Sequence, residues 1–247
     1  MAALMFDFQE VINEIEAFSH LANDFIAPES RDVLPRMRIA VESFRSQKGN
    51  YPIDLEISRV NPLRTRLSRG AYEKGSGGGH DIYGEISSKW RIKKVSQKQP
   101  GTARRFELLG IASTQVRLMC QQPAHPGIRE IAMWRMEIAD SKSPGCYFHI
   151  QILGDRPDFP FPNSLPVPRL PNLMLTPTSV AEFVLAELFQ DDWVAHMTLR
   201  TVHLNRWAPI QRDRWSKLLN WKLGLIGAGG SPWTTIKQQQ PDAALFV

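Results

Sequence analysis

The sequence predicts an α+β protein: an antiparallel meander sheet of about five strands, with N-terminal and C-terminal helices packed on it. Three observations predict this. Apolar residues recur every three or four positions towards both ends of the chain, they alternate with polar ones through the middle, and the alternating stretches follow one another with no helical pattern between them. The 247 residues, 43% of them hydrophobic, are read as a single domain over 1–247: a helical part (1–50), a sheet part (51–155), and a proline-rich crossing with further helices (156–247).

Residues 5–26 form the first expected helix, with Phe8, Val11, Ile12, Ile15, Phe18, Ala22, Phe25 and Ile26 on one stripe and Pro28 interrupting the pattern. A second runs from Ser30 or Asp32 to Gln47, with Val33, Met37, Ala40, Val41 and Phe44 inward and Gly49 closing it. From Pro52 the period becomes two, and Ile53, Leu55 and Ile57 mark a half-buried strand. Residues 61–79, with many arginines and a glycine-rich run at 75–79, read as a mobile surface loop that matches no phosphate-cradling motif.

Four more strands are expected at 81–95, 104–120, 129–140 and 146–153. Segment 154–177 is dense in proline and lacks periodicity, so it reads as an extended crossing. Thr176-Pro177 then supplies an N-cap and a first-turn proline for a helix over 177–194 that buries Val180, Val184, Leu185, Leu188 and Trp193. A last helix spans 208–226, carrying Trp215, Leu218, Leu219, Lys222 and Ile226 at helical spacing, and the apolar tail Leu245-Phe246-Val247 docks back on the body.

The N-terminus lacks a secretory pattern and no apolar stretch is long enough to span a membrane, so the expected setting is soluble and cytoplasmic. Cys120 and Cys146 lie among apolar neighbours and read as reduced and buried. No cofactor is expected, and no cysteine spacing of the metal-binding kind exists.

The net charge of +5 is unevenly spread. Between Arg59 and Arg105, twelve Lys and Arg face three acids, a balance of +9, so the rest of the chain sums to −4. Lys89, Arg91 and Lys93 alternate onto one strand face, and Arg64, Arg66, Arg69, Arg104 and Arg105 come from loops and strand starts nearby. Such a surface suits phosphate-backbone contacts, which makes nucleic acid one candidate partner and these eight residues its candidate binding site.

Histidine chemistry is the other candidate. In a strand, His149 and Gln151 share a face, while Phe148 and Ile150 take the other. His196, with Thr198 two residues on, adds a second histidine, and two facing His-x-Ser/Thr strands are the mark of two-histidine phosphoesterases. Here that pattern is half made, because Gln151 stands where Ser or Thr belongs. His149, Gln151 and His196 are therefore the candidate catalytic residues. The His-hydrophobic-Gln strand also resembles the metal strand of some rolling-circle nucleases, but none of the four tyrosines lies in a convincing helix. His196 and His203, seven residues apart, share a helical face that Asp191 or Asp192 could join as metal ligands, but no zinc-protease motif surrounds them and the Asp pair reads as a solvated helix end, so no metal site is assigned.

The succession Trp134-Arg135-x-x-Ile138-x-Asp140, Ser143-Pro144-Gly145-x-x-Phe148-His149-x-Gln151, Val167-Pro168-Arg169-Leu170-Pro171 and Thr176-Pro177 resembles a group of uncharacterised bacterial proteins found in mobile-element or phage-defence neighbourhoods. The resemblance covers residues 130–195 and implies a bacterial setting and an accessory role, with Arg169 and His149 as the matching arginine and histidine.

The leading expectation is a non-enzymatic bacterial accessory or adaptor protein that contacts nucleic acid or a protein partner. The alternatives are a histidine-dependent phosphodiesterase or nuclease, and a structural subunit anchored through Trp207, Trp215, Trp221 and Trp233.

Overall fold

The computed structural model describes residues 3–68, 81–95, 104–121, 128–140, 146–153, 170–227 and 229–247. Arg69, Lys98, Arg169, the glycine-rich run, the side chain of Trp233 and the crossing up to residue 169 lie outside the described residues.

The fold is α+β, with five α-helices and a sheet of nine strands among the described residues, where the sequence predicts about five strands. The strands are β1 (Met5–Asp7), β2 (Ile53–Ile57), β3 (Leu63–Arg64), β4 (Asp81–Lys94), β5 (Arg105–Leu108), β6 (Ala112–Gln121), β7 (Ile128–Ile138), β8 (Phe148–Leu153) and β9 (Leu170–Pro171). The helices are α1 (Phe8–Ala22), α2 (Val33–Ser46), α3 (Pro177–Thr198), α4 (Val202–Gly227) and α5 (Pro232–Gln238). The sheet runs β1-β5-β4-β6-β7-β8-β9, with β2 and β3 also pairing β4. Every pairing among the described strands is antiparallel.

The extra strands are short pieces that carry too few residues to display a period. The expected 5–26 helix begins with β1, because the Asp7 carboxylate caps Gln9 and Glu10 and fixes the helix start at Phe8. The expected 104–120 strand breaks at Gly110, whose φ of 68° suits a residue without a side chain, into β5 and β6. β3 falls within the expected loop 61–79, and β9 at the end of the expected crossing 154–177. In α2, Ala40 faces outward and Leu34 takes a core position instead.

Antiparallel partners point the same way, so register sorts the sheet into two faces. Ile86, Val116, Trp134 and Ile152 form one row of the inner face, and Ser88, Thr114, Met136 and Ile150 the next. The helices cover this face. Gly84 shows how closely: a Cβ there would lie 2.6 Å from Val184 Cγ1 on α3. Phe246, 1% exposed, packs on Phe6 and Phe148, so the tail docks as its sequence predicts.

No helix among the described residues is long and apolar enough to cross a membrane.

Candidate functional site

The histidine candidates do not converge. His149 lies on the outer sheet face, in register with Glu137 and Ser113, while α3, which carries His196, covers the inner face. The sheet therefore stands between them. The His149 ring is 1% exposed, and both its nitrogens are engaged. Nδ1 lies 2.8 Å from the Cys146 carbonyl, and Nε2 lies 2.9 Å from Glu137 and 3.2 Å from the Gln151 amide nitrogen. Arg135 closes the ring of contacts by donating to the Gln151 carbonyl oxygen at 2.6 Å and pairing with Glu137 at 2.8 Å.

His196 packs against Phe25 and Trp193, and His203 stacks on His20 with ring centroids 4.2 Å apart. No cluster of three or more metal-ligating side chains occurs among the described residues.

The cationic stripe does gather on one face. Lys89, Arg91 and Lys93 all point outward from β4, while Trp90 is buried beneath. Yet register places Glu56 opposite Lys89, Asp54 opposite Arg91 and Glu107 opposite Lys93. Asp54 lies 3.8 Å from Lys89 and 3.9 Å from Arg91. Arg64 pairs with Glu85 at 2.8 Å and lies over the Tyr83 ring, and Arg66 lies over the Phe25 ring. Arg104 and Arg105 are exposed near the β1 edge. Among the described residues, the cations of this stretch on β4 and β3 thus share their face with carboxylates and do not form a purely cationic surface.

A second site emerges between α3, α4 and the β8–β9 edge of the sheet. The spacing on α4 creates it. Trp207, Arg214 and Leu218 turn inward and are buried, whereas Trp215 and Leu219 stay 44% and 41% exposed. Between the helices lies a cavity of about 840 Å³, walled by Ile150, Leu173, Phe183, Met197, Trp215 and Leu219, with Ala186 and Ala208 giving it width. The exposed row continues beyond it through Leu223 and Ile226.

Polar groups close one end. Glu182 lines the cavity, and burial pushes its carboxyl above the ordinary carboxylate range, against the opposing hydrogen bond from Trp207. Behind it lies a network on the buried Glu14, which accepts from Thr176 at 2.6 Å, from the half-buried Gln211 at 3.1 Å and from Arg214 at 2.5 Å. Thr176 and Ser179 cap α3 reciprocally, as Thr176-Pro177 predicts. The first turn of α3 is therefore held rigidly against α1 and α4.

Sequence reading missed Glu14, Glu182 and Arg214. A charged residue on an amphipathic helix normally faces water, and only a partner about 200 positions away makes its burial affordable. The signal that was present is an excess of apolar residues on α4, where Trp207, Leu218 and Trp221 on one side and Trp215, Leu219 and Leu223 on the other exceed one stripe.

No family model, no curated protein and no solved structure matches this chain.

Proposed function

We propose that the chain is a non-enzymatic accessory or adaptor protein that works by docking a protein partner on the α3–α4 face. One observation carries this reading: a cavity of about 840 Å³ with mostly apolar walls, continued along α4 by exposed Leu223 and Ile226. Folding removes such surface from water wherever it can, and a contiguous apolar patch left outside is characteristic of an interaction site. The Glu14 network holds α3 at its first turn and α4 at its middle, so the groove exists before a partner arrives and ordering it adds little to the cost of binding.

A protein partner is favoured over nucleic acid because each cation of the β4 stripe meets a carboxylate across the strand. An adaptor is favoured over a hydrolase because both ring nitrogens of His149 are occupied by the protein itself. The resemblance to bacterial mobile-element and phage-defence proteins suggests where partners are to be sought, among proteins encoded in such neighbourhoods.

The test is selection of peptides from a displayed random library on the full chain. Peptides that bind should lose binding to Ala208→Trp, which fills the groove, and to Trp215→Ser, which removes an exposed wall, while both variants melt like the parent. If no selected peptide responds to either change, the proposal fails.

A further inference from the structure

α3 turns a corner that its sequence does not ask for. The stretch 186–194 holds no glycine, proline or asparagine, glutamine is a good helix former, and periodicity predicts one helix over 177–194. Yet Gln190 has φ 40° and ψ −113°, with helix on both sides of it. Those angles lie near the first central position of a type II′ turn, where glycine belongs, because a Cβ crowds the backbone there. Gln190 is the one non-glycine residue with a positive φ among the described residues. Its own side chain is exposed, and what holds the bend lies around it.

Phe25, just past α1, sits in the angle. Its ring meets Phe189 before the joint at a centroid distance of 5.0 Å, and Trp193 and His196 beyond the joint at 5.1 and 5.2 Å. A straight helix would spread Phe189 and His196 about 10 Å apart along its axis. The bend wraps α3 around one ring instead, and these edge-to-face contacts, with Trp193 buried, offset the backbone strain. The joint also divides the groove. Phe183 and Ala186 come from before it and Met197 from beyond it, so the angle at Gln190 sets how these walls stand to one another.

Local sequence therefore favours a straight helix and tertiary packing a bent one, a conflict that brings two states close in free energy. We propose that Gln190 is a sprung joint: α3 exchanges between the bent form and a continuous helix, and the groove is complete only when α3 is bent. The second half of this inference rests on the docking reading above; the first does not. A partner seated against Phe183, Ala186 and Met197 together would hold α3 bent, and its release would return α3 to exchange.

Position 190 is exposed, so it can be changed without disturbing the core. Glycine takes a positive φ freely and favours the bend, whereas a β-branched residue resists it and leaves the straight helix open. Gln190→Gly should melt about 2–4 °C above the parent, and Gln190→Val below it by a similar amount. Spin labels on Gln47→Cys at the end of α2 and Ala195→Cys beyond the joint, both exposed positions, read the angle by double electron–electron resonance. The parent should show a major and a minor distance. The ratio of major to minor should fall about tenfold in Gln190→Val, and the minor distance should vanish in Gln190→Gly. One distance common to all three chains, or a Gln190→Gly variant that melts below the parent, would overturn the joint. Groove-dependent peptides from the library should bind Gln190→Val more weakly, in proportion to the bent fraction lost, and Gln190→Gly at least as tightly. Unchanged affinity while the distances shift would overturn the coupling of joint to groove. Peptides indifferent to Ala208→Trp and Trp215→Ser would overturn the docking site, and the distances test the joint without it.

Discussion

Arg214 in the middle of α4 and Glu14 in α1 form an ion pair of 2.5 Å, with both side chains 1% exposed. Arg214 also reaches Glu10 at 2.7 Å, so one guanidinium neutralises two carboxylates from successive turns of α1. A planar fork with several donors can do this, whereas an ammonium cannot match both. Replacing Arg214 by Met should cost about 3–5 kcal/mol, because the Glu14 carboxylate would remain buried with no cation. Urea unfolding of the variant measures this, and a loss below about 1 kcal/mol would mean that water reaches Glu14.

Gly84 allows β4 and α3 to touch. Substitution by Ala places a methyl 2.6 Å from Val184 Cγ1, and we expect a destabilisation of about 1–3 kcal/mol. The pair Gly84→Ala with Val184→Ala should lose less than the sum of the two single changes, since each relieves the other's misfit. Strict additivity in thermal or denaturant unfolding would show that the clash is absorbed elsewhere.

His203 gives the fold a pH dependence with a definite sign. Its pKa is lowered from 6.5, first by burial and then by His20 and Arg206, so the unfolded chain binds the proton more tightly than the folded one. Stability is therefore fully present above about 6.5 and falls as the pH drops below it. Melting temperature should decline from pH 7 to pH 5.5 in the parent and decline less in His203→Phe, which keeps the stack on His20. Equal declines would remove His203 as the cause.

The β4 stripe should behave as a structural feature. Reversing Lys89, Arg91 and Lys93 to Glu sets like charges against Glu56, Asp54 and Glu107, and the two exposed pairs and one half-buried pair together should cost about 1 kcal/mol. The parent should bind DNA and RNA weakly at low salt, with a shallow dependence of affinity on salt. Tight binding with a steep slope, abolished by the triple variant, would restore nucleic acid as the partner.

Much of this architecture is written in local pattern. The stripes of α1 and α3, the inward Trp90, the cap at Thr176 and the docking tail all follow from periodicity and capping chemistry that neighbouring residues supply. What local pattern cannot hold is which element meets which. Whether Lys89 faces water or Glu56 depends on the register of two strands, and whether Arg214 is an exposed helix residue or the cation of a buried network depends on α1 arriving beside α4. The groove is of this second kind. The sequence of α4 determines more apolar surface than one face can bury, but only the packing of α3 and α4 on the sheet decides which row is left in water, because burial is a property of the partners an element finds.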